Sequence, residues 1–203
     1  ESFGIKINTF THILEGYKVA TKMAKHGAGG SSFSDWWAYK YEVIDAIPYN
    51  GPILTEAGVT VAYNSDNAEM IRRLNQEAAK AVKYGGLSEE EAWKYVTLNP
   101  AKLLRIDDKV GSIAIGKHAD LVIWSHNPLS IYAVAEKTII EGAVFYDYSK
   151  LDEKIEQNEK EREIIITQLK EAKKGGAKTQ PAPVIDKRYF ECETIDIVNE
   201  NVQ

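Results

Sequence analysis

The stretch Gly58-Val59-Thr60-Val61-Ala62-Tyr63-Asn64-Ser65-Asp66-Asn67 decides the fold. Val59 to Tyr63 is a short β-branched and apolar run with the character of a strand buried on both faces. The polar Asn64-Ser65-Asp66 ends it abruptly. Beyond that, Met70, Ile71, Leu74, Ala78, Ala81 and Val82 recur at helical spacing until Gly85-Gly86. An apolar strand, a polar turn and an amphipathic helix make up one unit of an α/β fold.

Working upstream, Ile5 to Phe10 alternates as a strand and breaks at Thr11-His12. Leu14 to Lys25 has helical spacing, with His26 as a favourable cation at the helix end before Gly27. A Gly/Ser-rich passage over 27–34 leads to Asp35-Trp36-Trp37-Ala38-Tyr39, and Gly51-Pro52 opens a short helix to Ala57. Downstream, Ser88 with Glu91 has the capping-box spacing, and a further short helix begins at Pro100. The rhythm is that of a (β/α) barrel with only about three units, whereas a closed barrel needs eight strands.

From Asp107 the character changes to β. Val110–Ile113, Ala119–Trp124 and Ala135–Tyr146 read as strands, the last folded into a hairpin at Glu141-Gly142. Leu151 to Lys173 is a charged helix with a three-four apolar spacing interrupted by Asn158 and Arg162, which reads as a surface helix packed on its own protein rather than a coiled coil. The expected organisation is a partial (β/α) barrel over 1–106, β-sandwich strands over 107–147, a charged helix over 148–174, and a linker and polar tail over 175–203.

Composition narrows the function. A net charge of −5, with no basic block interleaved with aromatics, argues against a nucleic-acid partner. No unbroken apolar run is long enough for a membrane span. The single cysteine, Cys192, excludes an intrachain disulfide and a cysteine-based zinc site. The chain opens on Glu1 with neither an initiator methionine nor a leader, so it is expected to belong to something longer, and its compartment is not read.

His12 and Asp66 both follow strand ends, where a parallel barrel keeps its chemistry. A histidine there can ligate a divalent metal, and an aspartate can ligate it while accepting a proton from water. Residue type alone leaves the plainer alternatives open: a histidine bonded to a loop carbonyl and an aspartate that only caps the next helix. His118 and His126 read as solvent-facing loop residues. Trp36 and Trp37 could wall a substrate pocket or fill a barrel-to-helix contact.

Leu98-Asn99-Pro100-Ala101-Lys102, Val110-Gly111-Ser112-Ile113, Gly116-Lys117, Ala119-Asp120-Leu121-Val122-Ile123-Trp124 and the Glu141-Gly142 hairpin form a linked series. That series resembles the closing segment of the amidohydrolase superfamily, in its imidazolonepropionase-like and prolidase-like branch, over residues 1 to about 147. The resemblance implies an α/β fold: the C-terminal part of a TIM (β/α)8 barrel, about strands 6–8, followed by part of a small β-sandwich and a C-terminal helix. It implies that Asp66, after barrel strand eight, is a metal ligand and the catalytic base, and that His12, after strand six, is a second ligand or a substrate-facing acid/base. Tyr17, Trp36, Trp37 and Tyr39 would shape the substrate pocket.

The cofactor implied is a divalent metal, zinc first, with one or two ions in a whole enzyme. The reaction implied is hydrolysis of a C–N bond in a small cyclic amide or a dipeptide by metal-activated water. The family's strand-one His-x-His pair, strand-four lysine or glutamate and strand-five histidine have no match here and are expected upstream of Glu1. The chain alone is therefore expected to hold zinc poorly and to be inactive. Its partner would be the missing N-terminal part or a second copy. The alternative is a non-catalytic scaffold that pairs through its open barrel edges.

Overall fold

Residues 2–178 and 180 are described by a computed structural model of the chain. In chain order the elements are β1 (Thr9–Phe10), α1 (Ala20–His26), β2 (Gly29–Ser32), α2 (Asn50–Glu56), β3 (Val61–Tyr63), α3 (Leu74–Gly85), α4 (Glu89–Lys94), α5 (Leu98–Leu104), β4 (Leu121–Trp124), β5 (Ala135–Ile140), β6 (Ala143–Asp147) and α6 (Leu151–Lys174). They fall into two compact units, one reaching to Ser149 and one starting at Lys150.

In the first unit β1, β2 and β3 pair in parallel, in that order, with Phe10 opposite Gly30, and Ser31 and Ser32 opposite Ala62 and Tyr63. Parallel pairing puts the three carboxyl ends on one side, so the turns after β1, β2 and β3 share a rim. Val61 and Tyr63 turn toward the helices and pack with Leu54, Ala81, Ala92 and Tyr95, which form the most buried part of the core. Tyr95 stands edge-on to Tyr63, ring centroids 4.8 Å apart.

The Gly/Ser-rich passage is where the structure departs furthest from the sequence reading. Gly29-Gly30-Ser31-Ser32 is the central strand, β2. A Cβ on Gly29 would lie 2.2 Å from Leu103 Cδ2, and one on Gly30 would lie 2.9 Å from Ile13 Cγ2. The strand is thin because its neighbours supply the bulk from both sides. β1 is shorter than the alternation from Ile5 suggests, since Ile5 and Ile7 remain exposed.

Ser88 caps α4 as expected, its Oγ accepting the Glu91 amide at 3.2 Å. Ile71 is not on the inner face of the α3 segment as its spacing suggests: it is 60% exposed, while Ala78 and Ala81 are fully buried. Residues Met70–Arg73 form a 3-10 turn that rotates Ile71 out of the helical phase of α3.

β4, β5 and β6 form an antiparallel sheet with β5 in the middle. Glu141 and Gly142 both take positive φ (49° and 82°), the signature of the two-residue hairpin turn that suits strand twist. Val110–Ile113 is not a strand. It belongs to a loop gathered round Lys117, whose Nζ donates to the carbonyl of Asp107 and, at 2.8 Å, to Ser112 Oγ. Ile113 stays 89% exposed.

In the second unit α6 runs from Leu151 to Lys174 and buries none of its residues. None of the described helices is long and apolar enough to cross a membrane. Cys192 and most of the expected tail lie outside the described residues.

Candidate active site

His12 and Asp66 reach the shared rim from opposite edges of the parallel sheet. The ladder continues past the strands to place them: Ile13 N–H donates to the Ser31 carbonyl at 3.0 Å, and Asn64 N–H donates to the Ser32 carbonyl at 3.0 Å. Asn50, 1% exposed, braces the same turns by donating to the Ile13 carbonyl (2.9 Å) and to Ser32 Oγ (3.2 Å). His12 itself adopts φ 53°, a left-handed conformation few non-glycine residues take. Its Nε2 lies 2.9 Å from Asp66 Oδ2. An ionised carboxylate only accepts, so Nε2 carries the proton in this pair. Both side chains are about half exposed (52% and 50%).

The helix-cap alternative for Asp66 is answered by its neighbour. Asn67 Oδ1 accepts the backbone N–H of Glu69 (2.7 Å) and of Met70 (3.1 Å) at the entry to the α3 segment. Capping therefore falls to Asn67, and the Asp66 carboxylate is turned toward His12.

Aromatic rings extend from this pair. Phe33, 4% exposed, stands edge-on to His12 with centroids 5.4 Å apart. Trp36 stacks on Phe33 at 3.7 Å and 10°, and Tyr39 meets Trp36 edge-on at 5.6 Å. Of the four aromatic candidates, Trp36 and Tyr39 thus join a wall beside His12. Trp37 is 49% exposed. Tyr17 faces a different task, its N–H donating to Asn50 Oδ1 at 2.9 Å with the Lys18 ammonium over its ring.

Several neighbours escaped the sequence reading. Phe33 sits in the passage read only as Gly/Ser-rich. Asn64 precedes Asp66 by two residues, and both polar atoms of its side chain are buried without a hydrogen-bond partner among the described residues. Ser34, Asp35, Glu77 and Lys80 form a polar cluster: Lys80 Nζ donates to Asp35 Oδ1 (2.8 Å) and Glu77 Oε2 (2.9 Å), and Ser34 Oγ bonds to Glu77. Burial works against the Lys80 ammonium, but its bonds to Asp35 and Glu77 prevail and hold its pKa above the ordinary lysine value.

The other histidines lie elsewhere. His26 Nε2 accepts the Ile7 N–H at 2.9 Å, tying the end of α1 to the segment before β1, a role the helix-end reading did not include. His118 and His126 are exposed, as expected. A concavity of about 810 Å³ lined by Trp93, Leu98, Val110, Leu121 and Trp124 contains neither His12 nor Asp66. Among the described residues no three of His, Cys, Asp and Glu converge as a metal site would require. His12 and Asp66 are donors of the right chemistry, one short of the three protein ligands a catalytic zinc normally takes.

The parallel sheet with its following helices is a segment of an α/β fold, with His12 and Asp66 on the rim at its carboxyl ends. Residues 51–179 match the model of the amidohydrolase family, and this chain belongs to that family. It is 31% identical over 150 residues to the amidohydrolase tasK of Hapsidospora irregularis, covering 71% of this chain and 15% of that protein. A 38-residue stretch, 19% of this chain, is 55% identical to imidazolonepropionase of Shewanella baltica and covers 9% of it. The crystal structure of an amidohydrolase from Thermotoga maritima superposes with a TM-score of 0.62 at 30% identity, over 68% of this chain and 37% of that one. The chain thus spans well under half the length of each of these relatives, and the fold it shares with them is a portion of an amidohydrolase barrel.

Proposed function

We propose that this chain carries the His12–Asp66 side of a metal-dependent site that hydrolyses carbon–nitrogen bonds in a small amide, either a cyclic amide or a dipeptide. The observation that carries the reading is the 2.9 Å approach of His12 Nε2 to Asp66 Oδ2 across the sheet, on the rim where such folds work. A divalent metal, zinc first, would acidify water and polarise the substrate carbonyl when bound. Asp66 takes the proton of the attacking water and returns it to the leaving nitrogen. His12 holds Asp66 in place through its Nε2–H or turns the same nitrogen to the metal. Phe33, Trp36 and Tyr39 exclude water from one flank. The remaining ligands come from the part of the relatives' length that this chain does not span, and the chain by itself is inactive.

The test is turnover of cyclic amides and dipeptides by the protein carrying its upstream region, with Asp66→Asn beside it. A loss of about 10²- to 10⁴-fold in the variant is expected of a general base. Unchanged turnover in Asp66→Asn would sink the reading.

A second reading, a scaffold that pairs with another chain, is favoured by the half-exposed apolar residues of the antiparallel sheet, Val122, Ile123, Val144 and Phe145. Light scattering on the chain with and without its upstream region separates the two. Pairing that persists when the upstream region is present, with no turnover, favours the scaffold.

A further inference from the structure

Phe33, Ser34, Asp35 and Trp36 alternate in what holds them. The outer two stack their rings at 3.7 Å, and the inner two are tied to α3. Ser34 is 2% exposed and Glu77 8%, so the bond between them is shielded from water. Glu77 and Lys80 are one helical turn apart on α3, and both grip the same short segment. A partly buried ionic cluster of this kind is poor value as stability, since well-packed apolar side chains would serve as well or better. What it provides is direction: two charged groups and a hydroxyl fix the segment in one orientation, which apolar contacts would not.

We propose that Glu77 and Lys80 of α3 are positioning residues for the aromatic wall, holding Ser34–Asp35 so that Phe33 stands against His12 and Trp36 stacks on Phe33. The role in catalysis rests on the reading of His12 and Asp66 as the reacting pair, whereas the positioning itself does not. Releasing the clamp frees the segment to swing, and Phe33 loses its edge-on contact with His12 while β2, anchored by its own ladder, stays in place. In an active enzyme the effect falls on substrate capture more than on the chemical step, because neither Glu77 nor Lys80 touches the reacting atoms.

The 203-residue chain has four histidines, so its imidazole carbon-bound protons can be followed singly by NMR, with His12→Gln assigning the relevant one. The Phe33 ring, 5.4 Å away, displaces the His12 signal through its ring current. In Lys80→Met this signal moves toward the value of an unstructured histidine while the other three stay, and Lys80→Arg brings it back. A folded Lys80→Met with an unmoved His12 signal overturns the proposal. Should Lys80→Met fail to fold, Asp35→Asn removes the same clamp from the segment side with little change of volume, and the same signal decides. In the protein with its upstream region, Lys80→Met is expected to raise KM by about tenfold with kcat nearly kept. If Asp66→Asn leaves turnover intact, the catalytic reading fails, while the His12 signal still decides the positioning.

Discussion

His12 Nε2 lies 2.9 Å from Asp66 Oδ2, and the two residues come from opposite edges of the parallel sheet. That contact is made without Asp66 being used as a helix cap. Capping and the proposed chemistry thus fall to adjacent residues, which makes them separable by mutation.

Asn67→Ala should lower stability by about 1 kcal/mol, the usual effect of losing a cap, because the amides of Glu69 and Met70 lose their acceptor. Asp66→Asn should leave the midpoint of thermal unfolding nearly unchanged while abolishing whatever activity the complete protein has. Circular dichroism melts on both variants check the pair. A larger loss in Asp66→Asn than in Asn67→Ala would reverse the assignment.

Two glycines with the same backbone sign should respond differently to alanine. Gly111 takes φ 86°, and a Cβ there would lie 2.6 Å from Ala101 Cβ and 3.1 Å from the Thr97 carbonyl. Gly116 takes φ 92° with open space around it. Gly116→Ala should cost about 1 kcal/mol, from left-handed strain alone. Gly111→Ala should cost about 3 kcal/mol, strain plus overpacking. Urea titrations with comparable slopes would measure both.

Stability should fall as pH rises past 10. Burial, reinforced by Tyr95 and by the Asp35 and Glu77 carboxylates, holds the Tyr63 phenol well above its ordinary value of 10.0. Burial likewise raises Tyr95, only partly offset by its bond to Thr55. Between the ordinary and the raised values the unfolded chain loses the proton first, so alkali favours unfolding. Lys80 acts in the same direction: its contribution is complete below its ordinary 10.5 and disappears as pH rises through the higher folded value. Tyr63→Phe removes one of these groups together with a buried hydroxyl that has no partner. It should stabilise by about 1 kcal/mol at neutral pH and shift the alkaline midpoint upward. A destabilised Tyr63→Phe would mean that the hydroxyl has a partner after all.

Zinc should affect the chain alone very little. With two donors, its affinity is expected to be weak enough that an equimolar amount adds no more than about 0.4 kcal/mol, the gain when free metal equals Kd. Melting with zinc and with a chelator should give midpoints that agree within error. A clear rise with stoichiometric zinc would show that the chain holds a complete site.

Much of the scaffold is legible from residue pattern: the strand at Val61–Tyr63, the Ser88 cap and the Glu141-Gly142 turn each rest on local rules. β2 was invisible to those rules. Its glycines carry no alternation, and the reason for them lies in Leu103 and Ile13, far away in sequence. The polar residues after β3 read as a helix cap, but which of them caps was not legible, since Asp66 and Asn67 are equally suited to accept amides and only the fold gives the role to Asn67. Phe33 and the Ser34–Glu77–Lys80 cluster depend on long-range contacts that spacing along the chain does not reveal.

The thinness of β2 also bears on the order in which the sheet assembles. Gly29-Gly30-Ser31-Ser32 has no side chains able to gather a nucleus, and its position is defined only once Ile13, Met23 and Leu103 are packed around it. The central strand is then expected to settle last. Substitutions at Gly29 and Gly30 would leave the folding rate nearly unaltered and accelerate unfolding instead. A middle strand of this kind sets how long the native state lasts, while its bulkier flanks set how quickly it forms.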